Sequence, residues 1–373
     1  MLDLCSPLSM LHARRFVHCD VSARSVSTLD SARLAQLVEW LRPLRTLAPV
    51  LGITFRLLET TARAVTRGSC EAEAWESLLE AWRERPEGLP ELMHIYIVGT
   101  LRFRAGYECA AAGDPAYAAH AEQLAKHKRT AAQASSLRLL YALSQGSMQE
   151  AARQRKERAI ATLSSGHEDQ LLAMGHVPEF KLLDACGDLL ELQRLASWFE
   201  ARAQRFPNWS PFAAAARACC WLLCDQGAKA EPLLAAELAA TPPLRHAAWY
   251  VVRSLRAEAA LQVGDAALAR DMAAEVLQIA LAAGANMRPD TRAERVLALA
   301  LAVLGDTNAA LAVIEALLRE VEAETTATVR AGQLYETRAR IALLAKDRAA
   351  FATYCARVTS IYSRTAHPGL VAK

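Results

Sequence analysis

Apolar residues recur at three- and four-residue spacing along most of this chain. Residues 292–304 carry Val296, Leu297, Leu299, Leu301 and Leu304, and residues 309–322 carry Leu311, Ile314, Leu317 and Leu318. Such spacing puts an apolar stripe on one face of a helix. No segment alternates with period two for long enough to form a strand. The pattern predicts an all-α chain, with the longest apolar run at residues 296–304 lying inside one helical hairpin.

Polar turn positions punctuate the apolar stretches at a nearly fixed interval. They are Gly113-Asp114, Gly146, Gly187-Asp188, Gly227, Gly264-Asp265, Gly305-Asp306 and Lys346-Asp347, at spacings of 33, 41, 40, 37, 41 and 41 residues. A glycine ends the first helix of a pair by adopting a left-handed backbone, and the Asp or Thr after it caps the second. A period of this size implies helical hairpins, each covering the open apolar face of its neighbour. The best-defined units are 245–283 and 289–323. Breaks at Pro207-Asn208-Trp209-Ser210-Pro211, Thr241-Pro242-Pro243 and Asn286 to Asp290 separate hairpins, with Ser210 expected to cap a helix ahead of Pro211.

Small residues recur in register with these turns. Gly106, Ala257 and Ala298 lie seven positions before a turn glycine, and Ala118, Ala269 and Ala310 lie five after one. This pattern resembles the tetratricopeptide repeat (TPR). At Lys346 the match is partial, with Ala339 in place but Phe351 in the second position, and it fails at Gly146 and Gly187, where Leu139 and Phe180 stand. The resemblance implies a TPR-like α-solenoid over residues 91–366. Residues 29–90 read as helical but off the register, with Asp30 or Ser31 capping one helix to residue 44, Pro43 kinking it, and Ser69 capping another to residue 85.

Composition sharpens this. Hydrophobic residues make up 53% of the 373 and aromatic residues 6%, an excess of Ala and Leu that suits closely packed helices. The net charge of +3 is dispersed, which argues against a nucleic-acid partner. The basic clusters at 126–129 and 153–158 read as solvated helix faces. Nine cysteines have no metal-ligand spacing. Cys219, Cys220 and Cys224 read as small core residues on one helix, and free thiols suit a reducing cytoplasm. His120 and His127 lie seven apart, and His94, His176 and His246 near helix starts read as structural. No run of about eighteen apolar residues predicts a membrane span, and no phosphate loop or nucleophile elbow predicts a bound cofactor.

Residues 11–26 are a separate matter. They read Leu-His-Ala-Arg-Arg-Phe-Val-His-Cys-Asp-Val-Ser-Ala-Arg-Ser-Val. This run resembles the catalytic loop of a bacterial serine/threonine protein kinase, with His18 and Asp20 at the His and Asp of that loop. Cys19 stands where the family has Arg, and Ser25 where it has the metal-holding Asn. The resemblance implies that residues 1–28 are a remnant of a kinase catalytic loop joined to TPR-like repeats. Large, myxobacterial-type signalling kinases with TPR-like C-terminal regions are similar, and a truncated or rearranged kinase is then expected. His18, Asp20 and Ser25 would be vestigial, since no Asp-Phe-Gly follows and phosphoryl transfer needs a positioned nucleotide and metal.

Function is therefore expected from binding, without catalysis. Side chains on the first helices of successive hairpins are the candidates: Arg253, Arg256, Arg292, Arg295, Glu336 and Arg340. Repeated arginines there suit the carboxylates of an acidic protein or peptide partner. The alternative is a serine/threonine kinase, or part of one, transferring phosphoryl groups from ATP.

Overall fold

The computed structural model describes residues 72–84, 91–165, 176, 179–180, 183–243, 246, 248–283, 291–323, 329–365 and 367–372. The kinase-like run, with His18, Asp20 and Ser25, the helix expected at 30–44 and the 286–290 break lie outside them. Among the described residues there is no strand. The helices are α1 (Ala72–Ala81), α2 (Glu91–Ala112), α3 (Tyr117–Ala125), α4 (Ala131–Ser144) and α5 (Met148–Ser165). After helical residues 183–186 come α6 (Leu189–Arg205), α7 (Ser210–Leu222), α8 (Gly227–Ala240), α9 (Trp249–Gln262), α10 (Ala266–Ala283), α11 (Arg292–Val303), α12 (Thr307–Ala323), α13 (Val329–Leu344), α14 (Arg348–Tyr362) and the short α15 (Pro368–Val371).

Seven turns share one geometry. The described residues with positive φ are Gly113, Gly146, Gly187, Asp225, Gly264, Gly305 and Lys346. Each lets the next amide reach back to a carbonyl five residues earlier: Asp114 to Cys109, Ser147 to Ala142, Asp188 to Leu183, Gln226 to Trp221, Asp265 to Ala260, Asp306 to Leu301 and Asp347 to Ala342, at 2.8–3.0 Å. The left-handed residue's own amide bonds the carbonyl three back, as Gly305 does to Ala302 at 3.1 Å. This is the full Schellman closure, which satisfies carbonyls that a helix end leaves bare. At four turns the aspartate that follows accepts an amide of the next helix, with Glu191, Leu268, Ala309 and Ala350 donating to Asp188, Asp265, Asp306 and Asp347, while Asp114 accepts from Ala116 in the turn before α3.

Four expectations change. Gly227 is not the turn residue; it is the first residue of α8, and Asp225 takes the left-handed position with φ 54°. The third spacing is then 38 and the fourth 39, counted from the positive-φ positions. In this register Ala218 and Ala230 stand seven before and five after the turn, and both are fully buried. The paired alanines thus occur at three successive units, with Ala257 and Ala269, and Ala298 and Ala310, all at zero exposure. Ala118 does not join them: it is exposed, and α3 turns His120, Ala121 and Leu124 inward instead. Ser210 does not cap α7; its hydroxyl donates to Glu237 on α8 at 2.7 Å. Cys224 lies past the end of α7 and is exposed, so it shares no helix face with Cys220.

Consecutive helices pack on one another from α1 to α5 and again from α6 to α15, and α7, α9, α11 and α13 also pack on one another in turn. The apolar interior is correspondingly divided. One cluster joins α1 to α2 through Trp75, Trp82 and Leu101, another joins α6 to α9 through Phe199, Trp209 and Leu255, and another joins α9 to α11 through Ala257, Met272 and Val296. One cluster breaks the serial order, bringing Ala185 and Cys186 together with residues of α11 to α14 and Leu370 of α15. The end of the chain thus folds back on the 187 turn. A Cβ on Gly369 would lie 2.8 Å from the Cys186 carbonyl oxygen, and His367 Nε2 lies 3.3 Å from an Asp188 carboxylate oxygen. Likewise a Cβ on Gly146 would lie 2.7 Å from Thr365 Cγ2.

The two turn types separate in a substitution test. Gly305→Ala meets open space and should lose only the left-handed backbone penalty, about 1–2 kcal/mol. Gly146→Ala carries that penalty and the Thr365 clash, and should lose about 1–3 kcal/mol more. Thermal or urea unfolding of the two variants measures the order, and an equal loss would show that the chain end does not bear on the 146 turn.

Candidate partner-binding face

The six expected binding residues all sit on the odd-numbered helices α9, α11 and α13. The structure places each against a partner within the chain. Arg253 donates from Nε to Glu275 on α10 at 3.0 Å, and Arg256 donates from Nε and Nη2 to Glu231 on α8 at 2.9 and 2.7 Å. One arginine therefore ties α9 forward to its own hairpin and the other ties it back to the preceding one. Arg292 is bonded by Glu258 on α9 and by Asp184, which lies 108 residues earlier in the chain. Arg295 Nε lies 3.2 Å from the Thr337 hydroxyl on α13. Arg340 bonds Glu336 one helical turn away at 2.7 Å, and the Tyr362 hydroxyl reaches the second Glu336 oxygen at 3.2 Å.

Burial ranks these residues. The side chains of Arg253, Arg256 and Arg292 are 19, 23 and 13% exposed, whereas that of Arg340 is 60% exposed. A charge-assisted bond in such a half-buried setting is stronger than one in open water, and removing one partner leaves the other stranded. The first three arginines are thus cross-links between helices as well as candidates for binding. Nothing in the local sequence marks Glu231, Glu275, Glu258 or Asp184 as their partners, because the pairs are 22 to 108 residues apart.

A second polar cluster lies between α5 and α6. Glu179 is buried and accepts from Arg155 at 2.8 Å, Arg158 at 2.6 Å and His176 at 3.0 Å. Burial alone would push its carboxyl up, but Arg158, His176 and Arg155 outweigh that and hold it far below the usual carboxylate range. The 153–158 run is therefore only partly a solvated face. Arg153 pairs along the helix with Glu150 and Glu157, while Arg155 and Arg158 turn inward. The 126–129 run is exposed throughout.

The remaining reactive groups are structurally engaged. His246 Nε2 lies 3.0 Å from the Asn208 carbonyl and its Nδ1 accepts the Ala248 amide at 3.0 Å, which fixes the neutral Nε2–H tautomer. Burial beside Phe212 lowers its pKa from 6.5 to about 4. His94 meets the Trp82 carbonyl at 2.9 Å, and His120 meets Glu76 at 3.0 Å. His127 lies beyond the end of α3 and is exposed, so it shares no face with His120. Burial, followed by the Asp184 carboxylate, raises the Cys219 thiol well above its ordinary value, and Cys220 rises to about 11. Both thiols stay protonated at neutral pH, which leaves them poor nucleophiles. Among the described residues no group of three His, Cys, Asp or Glu side chains could hold a metal ion, and no helix is long and apolar enough to cross a membrane.

Two measurements follow from these clusters. Glu179→Gln should cost about 3–5 kcal/mol in urea unfolding by stranding Arg155 and Arg158, and a loss under 1 kcal/mol would place that cluster in open solvent. The folded protein keeps His246 neutral down to about pH 4, while the unfolded chain takes up its proton near 6.5. Stability from this group is full above pH 6.5 and is lost as pH falls toward 4, by on the order of 3 kcal/mol. His246→Gln should flatten the unfolding free energy across that window.

No protein-family model matches the chain, and neither does any curated protein or solved structure.

Proposed function

We propose that the chain is a non-catalytic, TPR-like α-solenoid that acts as a protein-interaction scaffold. The observation that carries this is the stacking of α7, α9, α11 and α13 on one another, each helix also packed on the one after it. An arrangement of that kind presents one row of helices on a common face, and a row of helices is a surface for an extended or helical peptide. Arg253, Arg256, Arg292, Arg295, Glu336 and Arg340 are the side chains of that row assigned to the partner. Because the guanidinium groups of Arg253, Arg256, Arg292 and Arg340 are already matched by carboxylates inside the chain, an acidic protein or peptide binds by exchange. Its carboxylates replace those of Glu231, Glu275 or Glu258 at the guanidinium groups. Arg340, the most exposed of the six, makes first contact.

The resemblance of residues 11–26 to a kinase catalytic loop supports an origin in a bacterial serine/threonine kinase signalling protein. It also supports a second reading, that of a kinase or part of one, with Asp20 as the catalytic base. A Mg-ATP thermal shift that vanishes in Asp20→Ala would favour the kinase.

A screen of acidic and basic peptides against the full chain tests the scaffold. Acidic peptides should bind in preference, and Arg253→Glu combined with Arg340→Glu should weaken them by about tenfold or more, near 1.4 kcal/mol. Binding indifferent to these substitutions would overturn the assignment of this face.

A further inference from the structure

The turns form a rim along one edge of α9 to α14, and that rim is apolar where solvent meets it. Val263 is 51% exposed, Val303 and Leu304 are 52 and 45%, and Leu343 and Leu344 are 61 and 48%. These positions recur at a spacing of 40 residues, within the last three residues before the left-handed turn residue of three successive hairpins: Val263 and Leu304 stand one before it, Val303 and Leu344 two, and Leu343 three. Leu268 and Phe351, at the starts of α10 and α14, extend the row onto the second helices. A Cβ built on Gly264 or Gly305 meets nothing within 4 Å, so the rim is open. Scattered exposed leucines are ordinary on a protein surface, but seven large exposed apolar side chains gathered at three neighbouring turns mark an interaction surface. Since α9 packs on α11 and α11 on α13, neighbouring stations stand about 8–10 Å apart, the usual helix packing distance.

The charge along the same rim is polarised. Asp265 stands at the first station and Asp306 at the second, both exposed. At the third, Lys346 and Arg348 flank Asp347 and leave a net positive charge. An acidic end, an apolar middle and a basic end complement a copy of themselves turned end for end. We propose that this rim is a homodimer interface, formed about a twofold axis passing near Val303 and Leu304. Asp265 of one protomer faces the partner subunit's Lys346 and Arg348, and symmetry makes that contact twice. The like-charge meetings, Asp306 near the axis and Asp265 beside the partner subunit's Asp347, are solvent-exposed and screened. The face assigned to peptide partners borders this rim at Arg340, which lies three and four residues before Leu343 and Leu344 on α13, so the dimer is tested with substitutions that leave Arg340 in place.

Sedimentation velocity of the full chain between about 1 and 100 µM, the range in which modest interfaces associate, provides the test. A monomer–dimer equilibrium is expected, and Val303→Glu with Leu343→Glu should weaken it at least about tenfold. Both positions are exposed, so circular dichroism should show unchanged helix content. Lys346→Glu with Arg348→Glu should also abolish self-association, as should Asp265→Lys in a second preparation. Mixing the two charge-reversed proteins should restore a dimer containing one of each, because both rim contacts are then attractive again. A chain that stays monomeric throughout the range overturns the proposal. So does a dimer that tolerates the apolar substitutions, or one whose charge-reversed forms fail to recombine while remaining folded.

Discussion

The left-handed residue that closes each first helix is the constraint on which the rest of the structure rests. It reverses the chain within two residues, and it does so seven times with the same pair of backbone hydrogen bonds. At six of the seven turns the second helix starts two residues after the left-handed one, so the positions that meet across the hairpin are fixed too. That is why Ala218 faces the helix bearing Ala230, and why the same offsets bury Ala257 with Ala269 and Ala298 with Ala310. Small side chains at those stations let two helices approach closely, and the apolar faces left over are covered by the next pair.

A second constraint is long-range. Arg292 bonds Asp184, and Leu370 is fully buried in the cluster that holds Ala185 and Cys186. These contacts tie the last hairpins to a turn more than a hundred residues upstream. They also remove charge from the face on which a partner is proposed to bind. Arg253, Arg256 and Arg292 tie helices together and so cannot be given up without replacement, which is the physical ground for the proposed carboxylate exchange.

Much of this was legible in the sequence, for a local reason. Helix periodicity and turn chemistry are written within a few residues, so the all-α class, the glycine turns and the paired alanines of the 264 and 305 units could be read directly. The turn at Asp225 was misplaced to Gly227 because glycine is the usual left-handed residue, while Asp tolerates the conformation less often and signals it weakly. Ala118 failed because Pro115 and Ala116 lengthen the turn before α3, shifting the buried face to His120 and Ala121. The candidate face was legible as a row of arginines. Its carboxylate partners were not, since Glu231, Glu275 and Asp184 come close only after the helices stack. The inward turn of Arg155 and Arg158 escaped for the same reason, as did the return of the chain end to Gly187.

The most direct measurement is amide hydrogen exchange at the residue following each left-handed position: Asp114, Ser147, Asp188, Gln226, Asp265, Asp306 and Asp347. Each amide is held by a carbonyl five residues back and should exchange far more slowly than an unfolded chain, with Gln226 protected like the other six. Exchange at unfolded rates at several of these amides, while the helices around them stay protected, would contradict a stack built on one repeated turn.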